Sequence, residues 1–136
     1  MPITYRIDPE RDMVLVEGHG TLAFDDHRSF RAELLKDPQF HAGMKELADF
    51  RAVERHDFSM DGFEKFLEEE KQHIDLLQDY QIAIVTNDDL HYGFARMYMA
   101  KMSDLMPKVE VFRDIEAAKA WLLDQGEPAS ASEYPA

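Results

Sequence analysis

The feature that most constrains the fold of this chain is the alternation of short apolar segments with longer segments of helical periodicity. The segments KELADFRAV, YQIAIVTN and KVEVF have the length and apolar content of interior strands. Between them, apolar residues recur at three- and four-residue spacing, as on the inward face of a helix. Strands that alternate with helices form a mainly parallel sheet, because each helix returns the chain across one face. The pattern therefore predicts an α/β domain.

A β-hairpin is predicted ahead of this alternation. ITYRI and MVLVEGHG alternate apolar and polar residues on either side of the turn-forming segment DPERD. Gly18 and Gly20 predict a break or a bulge in the second of these strands. The predicted fold is α/β, with a mixed, mainly parallel sheet of four to five strands, an N-terminal β-hairpin and four helices.

Capping residues predict where the helices begin. Asp25, Ser59 and Asp114 are the expected N-caps of the first, second and fourth helices. Thr86 and Asp89 have the spacing of a capping box at the start of the third helix. The second helix is expected to extend to about residue 77 and the third to the proline at 107.

Length and composition limit the class of protein. A chain of 136 residues is the size of one domain, predicted to span residues 1–126, and the small, polar segment 127–136 is predicted to be a disordered tail. There is no cysteine, no signal-peptide pattern and no apolar run long enough to span a membrane, so a cytoplasmic protein is expected. The formal net charge of −13 argues against nucleic-acid binding, which needs lysine and arginine against phosphates.

Neither a metal nor another cofactor is predicted. The six histidines lack the spacings of known metal sites, and EGHG lacks the lysine and the following helix of a phosphate-binding loop. A serine–histidine–acid constellation is not evident either.

Candidate ligand-binding residues are concentrated on the methionine-rich helix within NDDLHYGFARMYMAKMSDLM. At 100° per residue its apolar side chains fall within one wide arc. The arc is either core that covers the sheet or an adaptable apolar surface, because methionine fills irregular space and adjusts to ligands. The binding hypothesis selects Tyr92, Arg96, Tyr98, Met99, Met102 and Met106.

A polar cluster is predicted where the parallel strands end, since ligands of open α/β sheets bind beyond the carboxyl ends of the strands. Asp49, Arg51 and Asn87 are the candidates there, with Arg96 close enough to join them. Such a cluster could hold an anion or a polar head group. The alternative is that capping and ion pairing simply fix the loops.

Glu70 falls within the apolar stripe of the second helix in a helical projection. If it is buried, it needs a cation beside it or is a candidate acid or ligand-anchoring group. The alternative is a position at the edge of the helix, facing solvent.

Four segments carry a resemblance to a known family: ELADFRAV, FSMDGFEKF, GFARMYM and VEVFRDIEAAKAWL. With the order of strands and helices, they make the chain resemble the STAS-like domain family of bacterial proteins, which is grouped with anti-sigma factor antagonists. By fold, that family is similar to CRAL-TRIO lipid-transfer domains. The resemblance covers residues from about 3 to 125 and implies a STAS-like fold.

The motif of the phosphorylatable antagonists is only partly matched. In those proteins a strand ending in aspartate leads to an Asp-Ser pair at the start of the second helix. Asp49 and Asp57 occupy the positions of the two aspartates, but Phe58 stands where the resemblance puts the serine. Ser59 follows one position later and is the candidate regulatory residue, unless its hydroxyl serves only as a helix cap.

These observations favour a non-enzymatic binding or regulatory module with an apolar methionine- and aromatic-rich site for a small hydrophobic or lipid-like ligand. The first alternative is a protein–protein module, either a homodimer or a partner switch like that of the anti-sigma factor antagonists. The second is an enzyme that uses Glu70, a histidine or Asp49 on a small substrate.

Overall fold

The computed structural model describes residues 2–124 of the protein. The elements are β1 (Ile3–Asp8), β2 (Met13–Ala23), α1 (Phe24–Leu35), β3 (Lys45–Asp57), α2 (Met60–Gln72), α3 (Ile74–Leu77), β4 (Gln81–Val85), α4 (Asp89–Met102), β5 (Val109–Phe112) and α5 (Ile115–Asp124). The predicted tail, 127–136, lies outside the described residues, so this prediction and the domain boundary at 126 stay predictions.

The sheet confirms the predicted mixed architecture. Its five strands follow the order β1-β2-β3-β4-β5, with β1 antiparallel to β2 and every other pair parallel. Two details differ from the expectation. The second predicted helix is divided at His73, where the backbone leaves helical geometry, into α2 and the single turn α3. The segment KVEVF forms an edge strand rather than an interior one, because β5 pairs with β4 alone.

The bulge predicted in β2 lies instead in its neighbour β3. The register of β2 against β3 shifts between Glu17 and His19 and again between Gly20 and Thr21, and at each shift β3 has one residue more than β2. A Cβ atom at Gly18 would lie 2.5 Å from the ring of Phe50, and Gly20 has a φ of +70°. Gly18 therefore leaves room for Phe50 of the bulged strand, and Gly20 supplies a backbone conformation that other residues rarely adopt.

Two of the predicted caps are confirmed. The Ser59 hydroxyl accepts the backbone N–H of Gly62 at 3.0 Å, and Asp114 accepts those of Glu116 and Ala117. Both assignments depended only on residues within one turn of the cap.

The other two cap predictions are wrong. The N-cap of α4 is Asp88, which accepts the His91 N–H at 2.9 Å. Thr86 is instead buried beside the sheet. Because β2 continues directly into α1, the N-cap there is Ala23 rather than Asp25, and its N–H donates to the side chain of Asp26 at 2.9 Å.

Helices cover both faces of the sheet. Side chains alternate along β4, so that Ile82 and Ile84 face the core formed with α1, α2 and α4, whereas Ala83 and Val85 face α5. Three long helices thus share one face of the sheet, and α5 covers the other. Among the described residues, no helix is both long and apolar enough to cross a membrane.

Candidate ligand-binding cavity

The three helices on one face of the sheet leave a cavity of about 100 Å³ between themselves and strands β2, β3 and β4. Every residue that lines the cavity is buried or half-buried. The lining is mostly aromatic and aliphatic: Leu22, Phe24, Phe30, Ala48, Phe50, Val53, Phe63, Phe66, Ile82, Ile84, Phe94 and Ala95, with Tyr98. The polar exceptions are Arg31, Glu46, Thr86 and three histidines, His27, His56 and His91.

A buried ion cluster forms one part of the cavity wall and its surroundings. The Arg31 guanidinium lies against Glu70, with Nε 2.9 Å from Oε2 and Nη2 3.4 Å from Oε1, and its Nη1 donates to Oε1 of Glu46 at 3.2 Å. The hydroxyl of Tyr80 donates to Glu46 at 2.6 Å, and that of Tyr98 donates to Glu70 at 2.7 Å. Five side chains from different parts of the chain thus satisfy one another's polar groups away from water.

The surroundings fix the ionisation of the cationic and phenolic members of the cluster. Burial opposes the charge of Arg31, but the carboxylates of Glu70 and Glu46 outweigh it and hold the pKa of the guanidinium well above its usual value. Burial, reinforced by the adjacent carboxylates, raises the pKa of Tyr80 and Tyr98 well above the ordinary phenol value. Both tyrosines are therefore neutral hydrogen-bond donors at physiological pH.

Histidines form a second polar region of the lining. The Nε2 atoms of His27 and His56 are 3.1 Å apart, and the two rings stack with centroids 5.2 Å apart. Burial, followed by the neighbouring His56 and Arg31, lowers the pKa of His27 to about 3. Burial and the nearby His91 also lower the pKa of His56. Both rings are therefore neutral at physiological pH.

Two polar atoms of the lining lack hydrogen-bond partners among residues 2–124. They are the hydroxyl oxygen of Thr86, a residue only 2% exposed, and Nδ1 of His56. Buried polar atoms are normally paired, because leaving one unpaired costs about 1–3 kcal/mol. These two atoms therefore mark a place where a bound molecule would find complementary groups.

Of the residues predicted on the methionine-rich helix, Tyr98 alone reaches the cavity lining. Met102 and Met106 are fully buried in the core, and Met99 is half-buried and packs against it. The cavity instead lies against the N-terminal half of α4, at Phe94 and Ala95.

Tyr92 and Arg96 lie away from the cavity. The Tyr92 ring is half-buried, with the guanidinium of Arg113 4.3 Å from its centroid and that of Arg96 at 5.9 Å. A ligand-binding role for these two residues and for the methionines stays a prediction.

The structure brings together three of the polar residues predicted at the strand ends. Asp49 and Arg51 form a bidentate ion pair with two contacts of 2.8 Å, and the side chain of Asn87 donates to the Arg51 carbonyl at 3.0 Å. The hydrogen bond from Arg51 lowers the pKa of Asp49. The three residues border a separate groove of about 390 Å³ beside the β3 bulge. Arg96 does not line this groove.

The position of this cluster differs from the expectation, because β3 continues eight residues past Asp49 to its end at Asp57. Asp49 marks the point where β3 stops pairing with β4. The ion pair and the amide hydrogen bond provide these side chains with partners inside the protein. Such contacts are those expected if the cluster fixes the backbone rather than binds a ligand.

Ser59, the candidate regulatory residue, is exposed at the start of α2. Asp57 is the last residue of β3 and pairs with Arg55 at 2.8 Å. The contacts of Ser59 are those of a helix cap, and its phosphorylation stays a prediction.

Glu70 is buried, with 1% of its surface exposed, rather than placed at a solvent-facing edge of the helix. Sequence reasoning singled it out but missed its partner Arg31. A signal was present: Arg31 lies four residues after His27 and three before Leu34, a spacing that puts the three residues on one face of a helix. Glu46 carried a similar signal, as a charged residue within an apolar strand.

Within residues 2–124, no group of three or more histidine, aspartate and glutamate side chains has an arrangement able to hold a metal ion.

Comparison with known proteins identifies the fold. No known protein family and no curated protein matches this chain. Among solved structures, the chain is similar to an uncharacterized protein of the DUF3478 family, with a SpoIIAA-like fold, from Shewanella loihica PV-4. The TM-score is 0.56 at 16% sequence identity, and the match covers 88% of this chain and 93% of the other. The chain therefore has the SpoIIAA-like fold, which is the STAS-like fold of the anti-sigma factor antagonists.

Proposed function

We propose that this protein is a non-enzymatic binding module that encloses a small, mainly apolar ligand in the cavity beneath α4. The observation that carries the proposal is a cavity of about 100 Å³ whose lining includes no exposed residue. Protein interiors are close-packed, so a space of this size among buried and half-buried side chains is unusual. A ligand that fills the cavity gains contacts with its apolar lining.

The volume limits the size of the ligand. A cavity of about 150 Å³ accommodates benzene, which has six non-hydrogen atoms, so this cavity suits a molecule of about four to six. A long acyl chain would require α4 to separate from the sheet. A short aliphatic molecule therefore fits the cavity better than a lipid with long acyl chains, the ligand class that the likeness to lipid-transfer domains suggests.

The cavity favours binding over catalysis. Glu70, the carboxylate that the enzyme alternative relied on, accepts hydrogen bonds at both oxygens from Arg31 and Tyr98. It is also not part of the cavity lining. A carboxylate held in this way supports a structural role behind the cavity lining rather than a catalytic one.

Filling the cavity from one side tests the proposal. Ala95→Leu adds a side chain where α4 lines the cavity, whereas Ala100→Leu adds the same side chain at an exposed position of the same helix. Xenon and 1-butanol serve as probes in two-dimensional NMR titrations of the protein. We expect saturable shifts near Phe94 in the wild type and in Ala100→Leu, and none in Ala95→Leu.

Ala95→Leu is folded if its amide NMR signals away from the cavity match those of the wild type and its unfolding temperature is at or above the wild-type value. Saturable binding by Ala95→Leu equal to that of the wild type would contradict the proposal. Absence of saturable binding of either probe to the wild type would also contradict it.

The protein-partner alternative rests on two exposed apolar side chains. Met60 is 54% exposed at the first position of α2, and Leu90 is 61% exposed in the first turn of α4. The two helix starts are neighbours, since the rings of Phe58 and Phe94 stack with centroids 4.6 Å apart. Sedimentation velocity of the wild type and of Met60→Glu/Leu90→Glu tests this alternative. A dimer that the double substitution converts to monomer would support a homodimer, and a wild-type monomer at all concentrations would count against it.

A further inference from the structure

We propose that the cavity takes a short, linear aliphatic amine in its protonated form, with the ammonium group beside Glu46. This inference rests on the proposed function and specifies the chemical class of its ligand. It follows from the charges, free acceptors and shape of the cavity wall.

The ion cluster has more carboxylates than cations. Two carboxylates, Glu46 and Glu70, share the single guanidinium of Arg31, and all three guanidinium nitrogens already contact them. Among residues 2–124, both hydrogen bonds to Glu46 reach the same oxygen, Oε1, from Arg31 and Tyr80. Oε2 of this buried, cavity-lining residue is therefore available to a donor from a ligand.

The remaining polar residues of the lining offer an anion no positive charge. His27 and His56 are neutral at physiological pH because burial lowers the pKa of both. Nδ1 of His91 lies 2.8 Å from the carboxylate of Asp88. An anionic ligand would thus meet Glu46 without a free cation, whereas an ammonium group brings three donors and a compensating charge.

The aromatic lining also favours a cation. Phe24, Phe30, Phe63, Phe66 and Tyr98 present aromatic rings to the cavity. The negative faces of such rings attract an ammonium group that lies over them.

The register of the sheet indicates a linear ligand. Glu46 pairs with Ile82, and Thr86 lies four residues after Ile82, directly past the end of β4. At about 3.3 Å per residue, the two polar regions are about 13 Å apart along the strands. A narrow aliphatic chain anchored at Glu46 covers part of this distance toward the unpaired hydroxyl of Thr86, and it reaches further than a branched or ring-shaped molecule of the same volume.

The test compares three four-carbon molecules that differ in their polar end: n-butylamine, 1-butanol and butyrate. Each is titrated into the wild-type protein at pH 7 and 0.2 M salt, with binding followed by two-dimensional NMR. The salt limits non-specific attraction of the amine to a protein of net charge −13. We expect n-butylamine to bind at least about tenfold more tightly than butyrate, with 1-butanol between them.

Glu46→Gln keeps the shape of the side chain and removes its charge. It should weaken n-butylamine binding about tenfold and 1-butanol binding much less, because the alcohol carries no charge. Glu69→Gln, which neutralises a carboxylate outside the cavity lining, is the matched control and should change neither. Because the ranking of the three probes on the wild type is decisive alone, the test stands even if Glu46→Gln is poorly folded.

Two outcomes separate the inference from the proposed function. If 1-butanol binds saturably and n-butylamine binds no more tightly than butyrate, the amine inference is overturned and the proposed function stands. If none of the three molecules binds saturably, both are overturned.

Discussion

Replacing Arg31 with methionine tests whether burial makes its ion pairs essential for stability. The substitution keeps an apolar side chain of similar length and removes the only guanidinium beside Glu46 and Glu70. These two carboxylates are 3% and 1% exposed, so water cannot replace the lost cation. Removing one partner of a buried pair costs about 3–5 kcal/mol, and here one cation serves two carboxylates. Since a domain of this size is stable by about 5–15 kcal/mol, Arg31→Met should remove a large part of its stability.

Arg28 provides a matched control one turn earlier in the same helix. Its guanidinium also contacts two carboxylates, Asp25 at 2.8 Å and Glu69 at 2.6 Å. Its side chain, however, is 32% exposed, so water screens the ion pairs. Exposed pairs contribute about 0–1 kcal/mol, and Arg28→Met should therefore cost far less than Arg31→Met although the contacts are as short.

Urea denaturation at pH 7, followed by the fluorescence of the single tryptophan, gives the free energy of unfolding by linear extrapolation. A third variant provides the internal check: in a Glu46→Gln/Glu70→Gln background, Arg31→Met should cost markedly less, because no carboxylate is left without its cation. The reasoning is refuted if Arg31→Met costs no more than Arg28→Met, or if the neutral background does not reduce its cost.

Three further predictions concern single residues, each measured by the same urea denaturation. Ser59→Ala should lower the free energy of unfolding by about 1 kcal/mol, because the α2 cap is lost. Ser29→Ala, at an exposed site in α1, is the control and should change the free energy of unfolding by less than about 0.5 kcal/mol. Equal effects of the two substitutions would count against the cap. Gly93→Ala should raise the free energy of unfolding by about 0.5–1 kcal/mol, because a Cβ there meets nothing within 4 Å. Gly62→Ala should lower it, because its Cβ would lie 2.8 Å from the capping hydroxyl of Ser59. A loss of stability in Gly93→Ala would show that this glycine has another role. The pKa of His27, lowered by burial to about 3, means that below about pH 6.5 the unfolded chain binds a proton that the folded protein does not. Stability should therefore fall as the pH drops from 6.5 toward 3, by up to about 1.4 kcal/mol per unit from this residue, and His27→Phe should have a correspondingly flatter profile; an unchanged profile would be the contrary result.

Local features of the sequence were sufficient for most of the fold. The hairpin and the caps Ser59 and Asp114 each depend on residues within a few positions of one another. The alternation of strands and helices then leaves a mainly parallel sheet as the favoured arrangement. Local reasoning failed where two neighbouring residues offered the same chemistry, as with Thr86 and Asp88 at the start of α4, because tertiary packing decided which one was buried.

The sequence by itself determined most of the secondary structure, the mixed, mainly parallel character of the sheet and the fact that Glu70 shares a helix face with apolar residues. Only the tertiary structure decided that Arg31, Glu46 and Tyr98 converge on one cavity, since they come from α1, β3 and α4 and are separated by up to 67 positions. Periodicity specifies which side of an element faces inward. Where the inward side chains of different elements meet, and where they leave a space, depends on how whole helices pack against the sheet.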